Sequence, residues 1–353
     1  MLAWPVLSQE QFNYTDNGDG TCTITDYIGL GGDVTIPDAT NGLTVTSIGD
    51  WAFSGCISLT SVTISNSVTS IGYGAFFACA SLTSVTIPAS VTRIGDSAFS
   101  GCISLASVTI PNHVTSIGYW AFSDCASLTS VTIPNSVTSI WYGAFLYCNS
   151  LTSIAVDPGN AFYSSAGGAL CDKAQTTLIQ CPEGMMGNYT ISNSVTSIGD
   201  SAFYGCASLT SVTIPASVTS IGDGVFWYCT SLTDIYFSGN APSLVGSDWF
   251  DSVPATIYYL PNTTNWDSTI GGQTPVLWNP QVQPDSTFGI QSAGFGFTFT
   301  NAGSPSVVVA VCTDLTNPVW VPLATNTITS GSSYFSDPSW TNYPNRYYRF
   351  QMP

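Results

Sequence analysis

A 23-residue repeat constrains this chain more than any other feature of its sequence. Seven units share the consensus S-I-G-x-x-A-F-x-x-C-x-S-L-T-S-V-T-I-P-x-S-V-T, with isoleucine, phenylalanine and cysteine in a constant register. The isoleucines that mark the units are Ile48, Ile71, Ile94, Ile117, Ile140, Ile198 and Ile221. Near-identical units at a fixed spacing of this length are typical of a solenoid, in which each unit forms one coil.

The unit that begins at Ile71 shows how one coil is expected to fold. Its VTI segment alternates inward and outward side chains, as a short strand does, and Pro88 ends that strand. Gly72 favours a sharp turn, and the apolar residues three and four apart in YGAFFAC predict a short helical turn. The pattern therefore predicts an α/β solenoid with a parallel sheet.

A single unit cannot be stable alone. Burying some eight small apolar groups gains roughly 10–15 kcal/mol, whereas ordering one unit costs on the order of 25–45 kcal/mol. Stacking closes this gap and places equivalent residues about 4.8 Å apart. The phenylalanines predicted to form an internal ladder are Phe53, Phe76, Phe99, Phe122, Phe145, Phe203 and Phe226.

The segment IGDSAFSGCISLASVTIP resembles the BspA-like leucine-rich repeats of bacterial surface proteins, and the resemblance extends over residues 34–237. It implies a curved right-handed leucine-rich-repeat coil with a parallel sheet on one face. It also implies export, with an extracellular or cell-surface location, and a role in adhesion or protein binding rather than catalysis.

The N-terminal residues depart from the repeat. Residues 1–9 are apolar and are interpreted as the remnant of a signal peptide, with a frayed terminus as the alternative. Asn-Gly and Asp-Gly pairs in residues 10–45 predict a β-hairpin that caps the first coil. Asp16, Asp19 and Asp26 leave open a calcium site or ordinary turns, although the spacing is not that of an EF-hand.

The rest of the chain divides into a solenoid and a tail. The solenoid is predicted over residues 46–237, with an irregular insert at 155–192 in which GALC and TTLIQC form a hairpin. Residues 238–280 are predicted to be a C-terminal cap and linker. Alternating segments separated by turn residues predict a small antiparallel β-sandwich over residues 281–353.

The charge balance limits the class of partner. Only 7% of residues are charged, and four basic residues against 21 acidic ones give a net charge of −17. Such a surface repels phosphate backbones and anionic lipid, so we expect no nucleic-acid partner. No run of 18 apolar residues occurs, so no membrane span is predicted.

Eleven cysteines raise the question of metal or disulfide chemistry. Seven of them follow the repeat and lack the C-x-x-C pairing of a zinc site. Stacked equivalents would hold their β-carbons about 4.8 Å apart, whereas a disulfide needs about 3.8 Å. We therefore predict a column of buried thiols, with Cys171 and Cys181, which flank the insert hairpin, as the candidate disulfide pair.

The sequence has no arrangement typical of catalysis. His113 is the only histidine and stands where sister units have serine, and Glu10 and Glu183 are the only glutamates. Most aspartates lie at turn positions, so the paired carboxylates of a glycosidase are not indicated. We predict that the chain is not an enzyme and uses no cofactor and no metal.

Large aromatic side chains occupy the variable positions around the Ala-Phe pair of each unit, and Trp141 even replaces the turn glycine. Tyr and Trp provide binding energy at low entropic cost, so these positions predict a partner-binding strip. Rings that merely cover the edge of the coils are the alternative. The residues are Trp51, Tyr73, Phe77, Tyr119, Trp120, Trp141, Tyr142, Tyr147, Tyr204, Trp227 and Tyr228.

A second candidate surface is the row of hydroxyl side chains on the outward positions of the sheet, which includes Ser84, Thr86, Ser211 and Thr213. We predict an exported binding or adhesion protein that presents an extended repeat surface to a protein or glycan. A passive stalk or self-assembling envelope component is the alternative, and open sheet edges leave self-association open.

Overall fold

The computed structural model describes residues 11–246, 249–250, 253–303 and 305–353. The predicted signal-peptide remnant at residues 1–9 lies outside these ranges. The chain forms two compact units. The first comprises the described part of Met1–Met185, Ile198–Ser208 and Gly224–Thr230. The second comprises Met186–Ser197, Leu209–Asp223 and the described part of Ser231–Pro353.

Short strands make up nearly all of the regular structure. In chain order they begin with β1 (Phe12–Asp16), β2 (Thr21–Tyr27), β3 (Gly32–Thr35), β4 (Ala39–Thr40), β5 (Leu43–Ile48), β6 (Leu59–Thr63), β7 (Ser70–Ile71), β8 (Ser84–Thr86), β9 (Arg93–Ile94), β10 (Ser116–Ile117), β11 (Ser130–Ile133), β12 (Ser139–Ile140), β13 (Ser153–Val156), β14 (Tyr163–Ala166), β15 (Ala169–Asp172) and β16 (Thr177–Gln180). They continue with β17 (Gly187–Thr190), β18 (Ser197–Ile198), β19 (Leu209–Ile214), β20 (Ser220–Ile221), β21 (Asp234–Phe237), β22 (Ser243–Leu244), β23 (Thr256–Tyr259), β24 (Val276–Leu277), β25 (Gln281–Val282), β26 (Gly289–Gln291), β27 (Gly294–Thr300), β28 (Ser306–Cys312), β29 (Val321–Thr327), β30 (Ser332–Asp337) and β31 (Tyr347–Gln351).

In the first unit the repeat sets the register of the strands. Strands β5, β7, β9, β10 and β12 pair in parallel, and each isoleucine faces its equivalent 23 residues later, as Ile48 faces Ile71. A second parallel sheet joins β3, β6 and β8, and a third joins β11 and β13. The repeats therefore form the coils of a β-solenoid.

The predicted α/β class is wrong, because the segment expected to be helical forms turns instead. The N–H of Phe76 donates to the carbonyl of Ala98 in the next coil at 2.7 Å, and Phe53 and Phe99 bond in the same way. These amides are used between coils, so they cannot close the i to i−4 bonds of an α-helix. Within the described ranges, the one helical segment is a 3-10 turn at Trp340–Asn342.

The predicted phenylalanine ladder is confirmed. All seven rings are fully buried. The rings of Phe76 and Phe99 stack with centroids 5.1 Å apart at an interplanar angle of 3°, and the Phe99 and Phe122 rings at 5.3 Å and 4°. At the N-terminal end, β1 and β2 form an antiparallel hairpin, and Tyr27 from β2 stacks on Phe53 at 5.0 Å. The hairpin therefore covers the first ring of the ladder.

The insert replaces a regular coil in the first unit. Strands β14, β15 and β16 form an antiparallel meander, so the hairpin predicted from GALC and TTLIQC is confirmed. The Tyr163 hydroxyl accepts a hydrogen bond from the N–H of Ile140 at 3.0 Å, a backbone group that sister coils use between strands. Fully buried Asn160 donates to the carbonyls of Pro134 and Val137. Side chains of the insert thus satisfy the backbone of the coil before it.

The second unit combines a parallel sheet with two antiparallel sheets. Strands β17, β19, β21, β23 and β24 continue the parallel pattern. One antiparallel sheet joins β25, β26 and β30 to β27, and the other joins β29 and β31 to β28. Tyr236 and Tyr258 of the parallel sheet share a buried core with Phe297, Phe299 and Val309 of the antiparallel strands. The C-terminal strands therefore pack on the outward face of the last parallel strands.

Candidate functional site

The turn that follows each isoleucine has the same backbone shape in every coil. Two positions per turn have positive φ, and both recur at the spacing of the repeat. The residues at the first position are Trp51, Gly74, Ser97, Trp120, Gly143, Ser201 and Gly224. Those at the second are Gly55, Ala78, Gly101, Asp124, Tyr147, Gly205 and Tyr228. The backbone is therefore constant where the side chains vary most.

Bulky residues at these positions are unusual, because the left-handed region costs a non-glycine residue roughly 1–2 kcal/mol. Trp51 has φ of 61° and Trp120 has φ of 51°. Each ring lies over the glycine that holds the same position in the next coil: a Cβ on Gly74 would lie 2.5 Å from the Trp51 ring, and Trp120 covers Gly143 likewise. Tryptophan followed by glycine at one repeat position is a sequence signal for this contact.

The aromatic residues predicted as a binding strip lie on this turn edge, all within the first unit. Nine of the eleven are exposed, with exposed fractions from 38% to 56%, and Tyr204 and Trp227 are half-buried. They do not form one continuous strip, because the intervening coil carries small or polar residues such as Asp96, Ser97 and Ser100 at these positions. The structure instead divides them into three clusters and one separate tyrosine.

Ring contacts define the three clusters. The N-terminal cluster is Trp51, Tyr73 and Phe77, in which Trp51 meets the other two rings at 4.7 and 5.5 Å. The middle cluster is Tyr119, Trp120 and Trp141, in which Tyr119 meets the two indoles at 6.1 and 4.9 Å. The C-terminal cluster is Tyr147, Tyr204, Trp227 and Tyr228, in which Tyr204 meets the other rings at 5.6, 6.4 and 5.3 Å.

Aspartates fix the backbone beneath two of these clusters. Asp50 Oδ1 accepts a hydrogen bond from the N–H of Tyr73 at 2.8 Å, and Asp96 Oδ1 accepts one from the N–H of Tyr119 at 3.0 Å. Each carboxylate thus holds the aromatic residue one repeat later. Tyr142, the separate tyrosine, has its hydroxyl 3.4 Å from Ser201 Oγ.

Glu183 is a functional candidate that the repeat pattern does not reveal, because it lies in the insert. It is 97% buried beneath the C-terminal cluster, and its Oε1 accepts a hydrogen bond from the N–H of Tyr147 at 2.6 Å. Its Oε2 is buried without a hydrogen-bond partner. Burial raises the pKa of Glu183 to about 7, and the negative charge of Asp124 adds to the increase.

The repeat cysteines are structural. Cys79 Sγ donates to the carbonyl of Phe53 at 3.0 Å, and Cys102 Sγ donates to that of Phe76 at 3.2 Å. All eleven cysteines are free thiols, including buried Cys171 and Cys181. The disulfide predicted from the sequence for this pair stays a prediction.

The other sequence candidates lie at the surface. Asp16 and Asp19 accept hydrogen bonds from the backbone N–H of Gly18 and Thr21, as aspartates in turns commonly do. His113 is exposed. In the part of the chain that the structure describes, no three His, Cys, Asp or Glu side chains converge in a way that could hold a metal ion.

The hydroxyl row differs between the two units. In the first unit Ser84 and Thr86 are exposed on the sheet face. In the second unit the equivalent Ser211 and Thr213 are buried, and the Thr213 hydroxyl donates to the carbonyl of Pro353. The C-terminal segment therefore covers part of the surface that the sequence predicted to be outward.

A family model described as BspA type Leucine rich repeat region matches residues 33–164 and 183–268, with six copies of the repeat. These ranges cover more than half of the chain. Comparison with curated proteins found no match. None of the described segments forms a helix of the length and apolar character needed to cross a membrane.

Solved structures agree with this match. A leucine-rich repeat protein from Bacteroides ovatus ATCC 8483 is 27% identical, covers 76% of each chain and has a TM-score of 0.51. Another from Eubacterium ventriosum ATCC 27560 is 24% identical over 77% of each chain, with a TM-score of 0.51. The pneumococcal vaccine antigen PcpA is 19% identical over 71% of this chain and 86% of its own, with a TM-score of 0.51. The last two show similarity of fold alone.

Proposed function

This chain belongs to the BspA-type leucine-rich repeat family, and on that premise we propose that it is an exported or cell-surface binding protein. It holds a protein or glycan partner against the aromatic clusters on its turn edge. The observation that carries this proposal is the exposure of nine large aromatic side chains at equivalent positions of a constant backbone.

The backbone at these positions favours a functional role for the rings. Gly74 and Gly143 show that glycine adopts the same positive φ as Trp51 and Trp120, without the cost of a side chain. Both tryptophans nevertheless remain close to half exposed. Strained positions with exposed aromatic side chains are typical of binding surfaces, where Trp and Tyr dominate the energy of association.

Charge restricts the partner further. The net charge of −17 disfavours polyanions at any distance shorter than the screening length. Neutral or basic surfaces are compatible with it. A partner without strong negative charge can therefore approach the turn edge and bury the rings.

The test is a quadruple variant in which each aromatic residue takes a residue type that sister units carry at the same position. The changes are W120G, W141G, Y142D and W227S, so the turn backbone should be retained. The full chain and the variant are screened on printed glycans and on a panel of purified extracellular glycoproteins. We expect the dissociation constant of the best partner to rise at least tenfold, because hot-spot residues each contribute about 2 kcal/mol or more.

The matched control is S84A/T86V on the exposed hydroxyl row, which should change binding less than twofold. Retained binding by the quadruple variant, with loss in the control, would move the binding surface to the sheet. Assembly of the purified chain into ordered fibres, with no partner on either panel, would instead support a structural role.

A further inference from the structure

A cleft opens in the first unit where the insert interrupts the stack of coils. One wall is the turn that carries Trp141 and Tyr142, and the opposite wall is β16 with the turn at Asp200 and Ser201. The cleft has a volume of about 290 Å³. Ile140, whose equivalents Ile71 and Ile117 are fully buried, is only half-buried here because no regular strand follows β12.

In the regular coils the backbone of the turn glycine is closely packed. A Cβ on Gly95 would lie 2.6 Å from the carbonyl oxygen of Gly72, so the glycine slot is packed against the backbone of the preceding coil. Trp141 occupies the equivalent position one repeat after Gly118. Its side chain points out of the coil and is 46% exposed, in contact with Tyr119. The departure from the consensus and the opening of the stack thus occur at the same turn.

The lining of the cleft combines aromatic and aliphatic side chains with uncharged polar groups. Trp141 and Tyr142 stand at one side, and Gln180, Thr177 and Ser201 at the other, where the Tyr142 hydroxyl reaches Ser201 Oγ at 3.4 Å. Asp200 is the one carboxylate among the lining residues, and no lining residue is basic. An amide and hydroxyls can each donate and accept hydrogen bonds, whereas a carboxylate only accepts.

We propose that this cleft binds a neutral saccharide. Sugar rings present apolar C–H faces, which stack on indole and phenol rings, and hydroxyl groups, which pair with amides, hydroxyls and carboxylates. The absence of a basic lining residue disfavours phosphate, sulfate and carboxylate groups, because each would lie beside Asp200 without a compensating charge. The volume lies at the lower limit of ligand pockets and suits one or two sugar rings.

This inference rests on the proposed function, since it names the ligand class for one part of the turn edge. It assigns roles that the repeat alone does not: Trp141 stacks on the sugar, and Gln180, which comes from the insert, fixes its orientation. Tyr73 of the N-terminal cluster lines a wider concavity of about 720 Å³, but Arg93 and Asp96 give its lining charges of both signs.

The experiment uses the full chain on an array of neutral and anionic oligosaccharides, followed by calorimetric titration with the strongest neutral oligosaccharide. We expect binding to neutral oligosaccharides, with the dissociation constant raised at least tenfold by W141G and at least fivefold by Q180A. I103A is the matched control, because it replaces an exposed side chain outside the aromatic clusters by the alanine that sister units carry, and it should change the constant less than twofold. W51G reports separately on the N-terminal cluster.

Three results would overturn the inference. Binding confined to anionic oligosaccharides contradicts the ligand class. Neutral-oligosaccharide binding that W51G abolishes and W141G and Q180A leave intact places the site on another cluster, and the proposed function survives. No saccharide binding, together with capture of a protein partner that the quadruple variant loses, also rejects the saccharide cleft while the proposed function stands. Thermal unfolding of each variant shows whether it folds. If W141G does not fold, Q180A still tests the cleft.

Discussion

The cysteine of each repeat acts as a hydrogen-bond donor as well as a small apolar side chain. Cys125 Sγ donates to the carbonyl of Phe99 at 3.3 Å, and Cys148 Sγ to that of Phe122 at 3.1 Å. The carbonyl of Phe99 also accepts the N–H of Cys102 at 3.2 Å, so an apolar residue of the same size would remove only its second, weaker hydrogen bond, at a cost of about 0.5–1.5 kcal/mol or less. This explains why cysteine, rather than alanine or valine, recurs at the position.

Thiol reactivity should separate one cysteine from the rest. Burial raises the pKa of Cys148 to about 12, whereas Cys56 is half-buried, with a pKa raised by burial to about 11. We expect a disulfide reagent at pH 8 to modify Cys56 first in the native chain, because access limits the others. C56A should remove that early phase, and fast labelling in C56A would contradict the burial of the column.

A count of reactive thiols with the same reagent in denaturant tests whether Cys171 and Cys181 form a disulfide. Eleven reactive thiols are expected if both remain reduced, as the structure holds them. Nine reactive thiols would show that one disulfide forms, and C171A, which should then leave ten, would assign it to Cys171.

Glu183 should make stability depend on pH in the direction opposite to that of an ordinary paired carboxylate. Its pKa is raised by burial from 4.5 to about 7, so the folded state disfavours the charged form. Below about pH 4.5 the carboxyl is protonated in both states and carries no penalty. As pH rises toward 7 the unfolded chain ionises first, and the free energy of unfolding falls.

Replacing Glu183 by glutamine should remove this loss. We expect E183Q to match the parent chain near pH 4.5 and to exceed it by on the order of 3 kcal/mol above pH 8, since each pKa unit corresponds to about 1.4 kcal/mol. Chemical denaturation across this pH range measures the free energy of unfolding of both chains. Subtracting one value from the other cancels the contribution of the other carboxylates. A difference that does not vary with pH would show that Glu183 is not the titrating group.

At the scale of the element, strands and core were predictable and the turns were not. Ile71, Phe76 and Cys79 recur at one spacing, so stacking and inward orientation followed directly from the repeat. The prediction of a helical turn was wrong, because apolar residues three and four positions apart also occur in a non-helical turn whose N–H groups bond to the next coil. Positive φ at Trp51 could not be read from side-chain pattern, since the repeat shows glycine at that position only in some sister coils.

The glycine that follows the repeat isoleucine, in every unit except that of Ile140, should be the most sensitive small residue of the coil. A Cβ on Gly95 would lie 2.6–2.7 Å from the backbone of Gly72 and Ile71, which cannot move without separating two coils. We expect G95A to lower the free energy of unfolding by about 2–3 kcal/mol, as overpacking does.

Gly55 provides the control for that substitution. It has positive φ of 70°, but a Cβ there meets no atom within 4 Å, and Ala78 takes the same position in the next coil. G55A should therefore cost only the roughly 1–2 kcal/mol of the left-handed region, less than G95A. Equal effects of the two alanines in urea denaturation would mean that close approach of the coils does not limit the fold.

At the scale of the whole chain, the sequence predicted the kinds of segment but not their contacts. The strands at FGFTFT and SVVVAV were expected as β27 and β28. Their packing on Tyr236 and Tyr258 was not, because a contact between residues far apart in the chain leaves no periodic trace. The cleft could not be predicted for a similar reason. Trp141 departs visibly from the repeat consensus, but Gln180 lies in the irregular insert and has no sister position for comparison.

The shared core of the second unit leads to a prediction about the C-terminal strands. The Tyr236 hydroxyl accepts a hydrogen bond from the N–H of Ser306 at 3.0 Å, and its ring stacks on Tyr258 at 5.2 Å. Both tyrosines are almost fully buried against Phe297 and Phe299. If the C-terminal strands were an independent module on a linker, their removal would leave the parallel sheet unaffected. If they share its core, their removal should destabilise the sheet.

A chain that ends at Pro280 distinguishes the two cases. We expect it to bind an apolar fluorescent dye and to lose several kcal/mol of stability in strands β17 to β24, because two aromatic side chains of about 150–250 Å² each would enter water. Hydrogen exchange measures that loss strand by strand, and Y236F in the full chain is the milder companion, since it removes only the bond to Ser306. Unchanged exchange in β21 and β23 after truncation would mean that the C-terminal strands contribute nothing to the parallel sheet, and that they act as a separable module.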